Sequence, residues 1–167
     1  PGMCHPAIIG RRLERPVINL GFSGSGTMDQ SMSDLLAELD PAVYVIDCLP
    51  NMNGDMVAER TAPLVKTLRQ ARPGTPILLV EDRSYTNAFN PGLRDANLKN
   101  RAALKAAFEA LKAEGVANLF YLEGEPQLGD DREGTVDGSH PNDLGFQRMA
   151  DVFTPAVRAA IEGATAR

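Results

Sequence analysis

A chain of 167 residues with 43% hydrophobic and 23% charged positions has the make-up of one globular domain with a core of its own, not of a disordered or fibrous protein. Its formal charge of −5 supplies no general basic field, which argues against nucleic acid as a partner, and no apolar run approaches the roughly 20 residues of a membrane-spanning helix. The two cysteines, Cys4 and Cys48, cannot form a disulfide framework and lack zinc-site pairing, which leaves Cys48 as a packed thiol in an apolar run.

The sequence opens at Pro1-Gly2 without an initiator methionine, so any signal peptide would lie before it and the compartment stays open. A helix is expected over about residues 6–14, followed by a short apolar strand over 17–20. A second strand candidate spans 42–48. Val57, Leu64, Val65 and Leu68 then recur at helical spacing. A third strand is expected over 77–81, and a helix over about 95–114 carries Leu104, Phe108 and Leu111 on one face. A fourth strand spans 119–122, and a final helix places Phe146, Met149, Phe153, Val157 and Ile161 three or four apart, with Pro155 expected to bend or restart it. Nearly continuous apolar strands alternating with helices predict a single α/β domain whose parallel sheet is covered on both faces.

Open sheets of this kind put their sites on the loops that leave the C-terminal ends of the strands. Gly21-Phe22-Ser23-Gly24-Ser25-Gly26 follows the first candidate strand. Its glycines do not fit the spacing of a dinucleotide loop, and no lysine of a phosphate loop follows. A nucleophile elbow centred on Ser23 would need glycine where Ser25 stands. An oxyanion loop fits better, because glycine brings a free backbone N–H close to a ligand; a tight turn without a ligand is the plain alternative. After the second strand, Asn51 has a side-chain NH₂ to offer the same anion, or serves only as a turn residue after Pro50. Glu81, Asp82 and Arg83 close the third strand as a local ion pair, with polar contacts to a substrate as the second reading.

The fourth loop carries Asp137-Gly138-Ser139-His140-Pro141-Asn142. A carboxylate and an imidazole three positions apart form an acid–base pair: Asp137 would hold the Nδ1 hydrogen of His140, and Nε2 would take a proton from a nucleophile. Pro141 holds His140 extended and is pre-set for a first helical turn, so the imidazole is expected at the mouth of the fold. Asp137 and Asn142 as mere turn and cap residues beside a solvated histidine is the alternative.

The order Gly24, Asn51, Asp137, His140 resembles that of the SGNH hydrolases, the GDSL-type esterase and lipase superfamily. Asn19-Leu20-Gly21-Phe22-Ser23-Gly24 is similar to the family's glycine block. Leu49-Pro50-Asn51 stands in the place of its asparagine block but lacks the glycine and the following Asp. Asp137-Gly138-Ser139-His140 matches the closing D-x-x-H, and the wording around Val45-Ile46-Asp47-Cys48-Leu49-Pro50-Asn51-Met52 resembles a bacterial GDSL-like subgroup. The resemblance implies a three-layer α/β/α, flavodoxin-like parallel sheet and hydrolysis of a small-molecule carboxylic ester without metal or organic cofactor. His140 would be the general base, Asp137 its orienter, and Gly24 with Asn51 the oxyanion hole. The serine block has no counterpart. Residues 1–167 would then be a single SGNH-type domain truncated at its N-terminus, with the nucleophilic serine and the sheet's first strand upstream of Pro1, or with Ser23 or Ser25 as substitute. A non-catalytic pseudoenzyme or small-ligand binding module on the same fold is the alternative; nucleotide binding ranks behind both. Oligomeric state is left open.

Overall fold

The computed structural model describes residues 2–165. Among them run α1 (His5–Leu13), α2 (Gln30–Glu38), β1 (Tyr44–Ile46), α3 (Gly54–Ala71), β2 (Ile77–Val80), α4 (Pro91–Ala113), β3 (Leu119–Leu122) and α5 (Asp143–Thr165), with single 3₁₀ turns at Leu49–Asn51 and Glu125–Gln127. The three strands form one parallel sheet in the order β1-β2-β3, with Tyr44 opposite Ile77 and Ile77 opposite Leu119.

Every residue of β2 is buried, as expected of a central strand covered on both faces. Ile77 and Leu79 point to one side, into a cluster with Val57, Leu64, Val65 and Leu68 of α3 and Leu104 and Leu111 of α4. Leu78 and Val80 point to the other, where they meet Ile8 and Ile9 of α1 and Met149, Phe153 and Val157 of α5. Period-two alternation in the strand and three-four spacing in the helices thus build three layers, helices on sheet on helices. Asn53 caps α3 by accepting the Met56 N–H at 2.9 Å. Asn90 caps α4 through the Gly92 N–H at 3.1 Å, with Pro91 in its first turn, so α4 begins earlier than its apolar stripe alone indicates.

Two expectations are corrected. Residues 17–20 form no strand: Val17, Ile18 and Leu20 are exposed, and the β1 edge facing away from β2 has no strand partner among the described residues. A strand exists through pairing with a neighbour, and an apolar run does not supply one. The nine-residue α2 follows the glycine-rich loop in a stretch for which the sequence reading names no element. Finally, α5 runs unbroken through Pro155. The carbonyl that the proline leaves without an intrahelical donor belongs to Asp151, which is exposed to solvent.

At the C-terminal ends of the strands the core turns polar. The stripe that is apolar at Leu104 and Leu111 continues up α4 as Arg101, Asn100 and Asn97, all at most 8% exposed. Asn100 donates to the Met52 carbonyl beyond β1 at 2.8 Å, and Asn97 to the Arg83 carbonyl beyond β2 at 3.0 Å. Arg101 donates through Nε to the Asp82 carbonyl at 2.7 Å and through Nη2 to the Ser84 hydroxyl at 2.9 Å, and its Nε lies 3.8 Å from the Glu81 carboxylate. Glu81 in turn accepts the Tyr121 hydroxyl at 2.6 Å and the Gly124 N–H at 2.9 Å. One helix face therefore ties the exits of β1 and β2, and Glu81 bonds the exit of β3 to that of β2.

Gly124 packs so closely into this network that a Cβ there would lie 1.9 Å from the Asp82 carbonyl oxygen and 2.7 Å from Arg101 Nη2. Neither neighbour is free to yield. Gly124→Ala is expected to destabilise the domain by about 3 kcal/mol, the upper end of overpacking effects, which lowers Tm by roughly 6–12 °C in a domain of this size. Calorimetry checks it; an unchanged Tm would contradict the tight packing.

Candidate active site on the strand exits

The loop between the second 3₁₀ turn and α5 is a small self-braced unit. The Val136 N–H donates to the His140 carbonyl at 2.9 Å, the Asn142 N–H donates to the Gly134 carbonyl at 3.1 Å, and Thr135 and Pro141 form an antiparallel bridge. Pro141 thus belongs to this bridge. The first helical turn begins at Asp143, and Asn142 caps it by accepting the Gly145 N–H at 2.9 Å. Gly138 sits at the tip with φ of +93°, a conformation suited to glycine. Any side chain there would also strike Asn87.

Within this loop Asp137 Oδ1 accepts the backbone N–H of His140 at 2.7 Å and of Ser139 at 2.9 Å, while Oδ2 lies 2.7 Å from His140 Nδ1. Three donors converge on one carboxylate. The His140 backbone N–H, its ring and the Ser139 N–H together hold the Asp137 carboxyl well below the usual carboxylate range. The two side chains remain 51% and 74% exposed, so Nε2 of the imidazole is accessible from solvent. A histidine fixed at Nδ1 with its second nitrogen open has the arrangement of a general base.

The loop is fastened to the strand exits from outside. Arg83 Nε donates to the Ser139 carbonyl at 3.0 Å, the Asn87 N–H donates to the Gly138 carbonyl at 3.4 Å, and the Thr86 and Thr135 hydroxyls bond at 2.5 Å. The Glu81-Asp82-Arg83 segment carries the ion pair expected of it: Arg83 Nη1 lies 3.5 Å from Asp82 Oδ1. Asp82 is fully buried and its Oδ2 accepts the Tyr85 hydroxyl at 2.6 Å. Burial pushes the Asp82 carboxyl up, against the pull of Tyr85 and Arg83.

Asn51 ends the 3₁₀ turn after β1, exposed, with no hydrogen bond to its carboxamide among the described residues. The glycine-rich loop reaches it through Gly26, whose Cβ position would be 3.5 Å from Asn51 Nδ2. Gly24 is exposed with φ of +85°, and the space where its Cβ would stand is open. Among the described residues neither Ser23 nor Ser25 bonds to His140, and neither Gly24 nor Asn51 is hydrogen-bonded to the His140 loop. Cys48 packs against the core, and burial raises its thiol to about 12, which leaves it unreactive. No helix of the described residues is long and apolar enough to cross a membrane.

Sequence reasoning missed Asn97, Asn100, Arg101 and the reach of Arg83. The first three continue the spacing of Leu104 and Leu111, so polar residues on a buried stripe were the available signal. The Arg83–Ser139 contact spans 56 positions and has no local sign.

Residues 1–158 match the GDSL-like lipase/acylhydrolase family. No curated protein matches the chain. Among solved structures, a protein described as a GDSL-like lipase from Bacteroides ovatus is 38% identical with a TM-score of 0.93, covering 97% of this chain and 48% of that one. The salicylyl-acyltransferase SsfX3 of a tetracycline biosynthetic pathway is 18% identical with a TM-score of 0.78, covering 95% and 49%. A carbohydrate esterase family 3 protein from Talaromyces cellulolyticus is 12% identical with a TM-score of 0.68, covering 96% and 92%. The last two likenesses show the fold alone. The chain spans about half the length of the first two.

A depressed carboxyl pKa makes the Asp137 contribution to stability fully present above the unfolded value of about 3.9 and lost only as pH falls through the lower folded value. Carbon-13 NMR of the Asp137 carboxyl is therefore expected to show a midpoint clearly below about 3.9. A midpoint at the ordinary value would mean that the three donors are not engaged.

Proposed function

This chain belongs to the GDSL-like lipase/acylhydrolase family, and from that membership we propose a serine-esterase reading in which the substrate is a carboxylic ester, acyl or acetyl, sugar esters included. The observation that carries it is the 2.7 Å contact of His140 Nδ1 with an Asp137 carboxylate that also accepts two backbone N–H groups. In the reaction, His140 Nε2 takes the proton of a serine hydroxyl as the oxygen attacks the ester carbonyl. Asp137 stabilises the imidazolium, which returns the proton to the leaving alcohol; a water then repeats the sequence on the acyl-enzyme. Asn51 Nδ2 and the Gly24 N–H are the donors assigned to the oxyanion, with one such donor worth on the order of 3–4 kcal/mol in the transition state. The approach of Gly26 to Asn51 supports a shared pocket for the glycine-rich loop and the carboxamide.

In this reading residues 1–167 form one domain, and the nucleophile lies upstream of Pro1 on a strand that pairs with the free edge of β1. Two observations support it: that edge has no strand partner among the described residues, and Val45 of β1 is exposed, as are Val17, Ile18 and Leu20 of the apolar stretch that precedes it in the chain. A second reading, a non-catalytic binding module on the same rim, is favoured by the lack of any serine hydroxyl bonded to His140 among the described residues.

Hydrolysis of p-nitrophenyl acetate separates them, using this chain, the protein at its natural length, and His140→Ala in each. Activity is expected at natural length and a loss of about 10²–10⁴-fold with His140→Ala, the range for removal of a general base. His140-dependent activity in the 167-residue chain would instead point to Ser23 or Ser25. An inert natural-length protein would contradict the esterase reading in favour of the binding module.

A further inference from the structure

The Asp137–His140 pair is built within one short loop, so its internal geometry does not depend on the sheet. Its location does. Both side chains are largely solvated and receive little packing, and the charged group that fastens the loop to the rim is Arg83. The Arg83 side chain is 8% exposed. Nε bonds the Ser139 carbonyl at 3.0 Å, Nη2 lies 3.5 Å from the Ser139 hydroxyl, and Nη1 faces Asp82 at 3.5 Å. Arg83 is itself locked: the Asn97 carboxamide holds its carbonyl, its guanidinium lies 5.6 Å from the Tyr85 ring centre, and Tyr85 binds the far oxygen of Asp82. Among the described residues no geometrically good hydrogen bond reaches Asp82 Oδ1, which the guanidinium faces, and the Asn97 side chain also acts on this carboxyl.

A buried ion pair is a poor device for stability, because apolar residues of similar volume often serve as well or better. A planar guanidinium instead fixes direction, with donors at set angles to both the carboxylate and the loop carbonyl. We propose that the buried Asp82–Arg83 pair is a positioning element that sets where the His140 imidazole stands over the strand exits. It acts through the Ser139 carbonyl and does not touch substrate. This deepens the esterase reading and rests on it. A shift of the imidazole by about 1 Å is enough to lower turnover on the order of 10²-fold while ground-state binding persists.

The test uses the protein at natural length. Arg83→Gln leaves the Asp82 carboxylate buried without its cation, so Asp82→Asn/Arg83→Gln, which removes both charges, accompanies it. For each variant, kcat and KM for ester hydrolysis are measured together with the carbon-13 titration of Asp137. The positioning role predicts kcat lower by about 10–100-fold, KM within about twofold of the parent, and an Asp137 midpoint as low as in the parent, since the loop keeps its own bonds. Arg83→Lys, with the charge but not the fork, is expected to recover only part of kcat. Unchanged kcat in the double variant would overturn the proposal. So would a fall in kcat accompanied by an Asp137 midpoint at the ordinary value, because Arg83 would then only keep the loop folded. His140→Ala in the same protein separates the two levels: if hydrolysis does not need His140, the esterase reading fails and this inference with it, whereas a need for His140 without a need for Arg83 overturns this inference alone.

Discussion

Arg101 reaches from α4 into the C-terminal end of the sheet and fills a place that the backbone cannot fill for itself. The strands end in a layer of buried carbonyls and carboxylates, the Asp82 carbonyl and Glu81 side chain foremost. A buried polar group left unmatched costs about 1–3 kcal/mol. Arg101, Asn100 and Asn97 answer that need from one helix face, each bonded to the exit of a strand. Gly124 lets β3 join, since its missing side chain admits Asp82 and Arg101 at contact distance. The loops of the rim are consequently irregular in outline yet fixed in place by directed bonds to a regular element.

On that base the chemistry is divided between two scales. Acid–base pairing is local, because Asp137 collects the Ser139 and His140 N–H groups and the His140 ring inside one turn of chain. Placement is non-local, through Arg83 and Asn87 on the β2 exit and the close seat of Gly145 of α5 against the Gly134 carbonyl. This separation accounts for an Asp–His pair that is solvent-exposed and still well oriented. Its ionised carboxylate is stabilised by donors from its own loop, not by burial.

The same division explains what the sequence discloses. β2 and β3 are legible as apolar runs, and α3, α4 and α5 as stripes, because each pattern is written within a dozen residues. Asp137 and His140 are legible for the same reason, three positions apart. Residues 17–20 look like a strand and are not one here, because pairing depends on a neighbour that the run does not encode. Asn97, Asn100 and Arg101 are hidden by their polarity: a search for apolar spacing stops at Leu104 although the face continues. The Arg83 contact with Ser139 is not legible at all, since it joins two loops only after the sheet has formed. Gly24 and Asn51 lie between these cases, marked by the family resemblance and by residue type, with Gly26 the glycine that approaches the carboxamide.

The claim under all of this is that the Asp137 carboxylate fixes which nitrogen of His140 is free to act as a base. Nitrogen-15 NMR of the His140 ring, at a pH where the imidazole is neutral, reads that directly. The account predicts the proton on Nδ1, facing Asp137, and a lone pair on Nε2. A proton on Nε2 with Nδ1 bare would contradict it, since the carboxylate would then be orienting nothing.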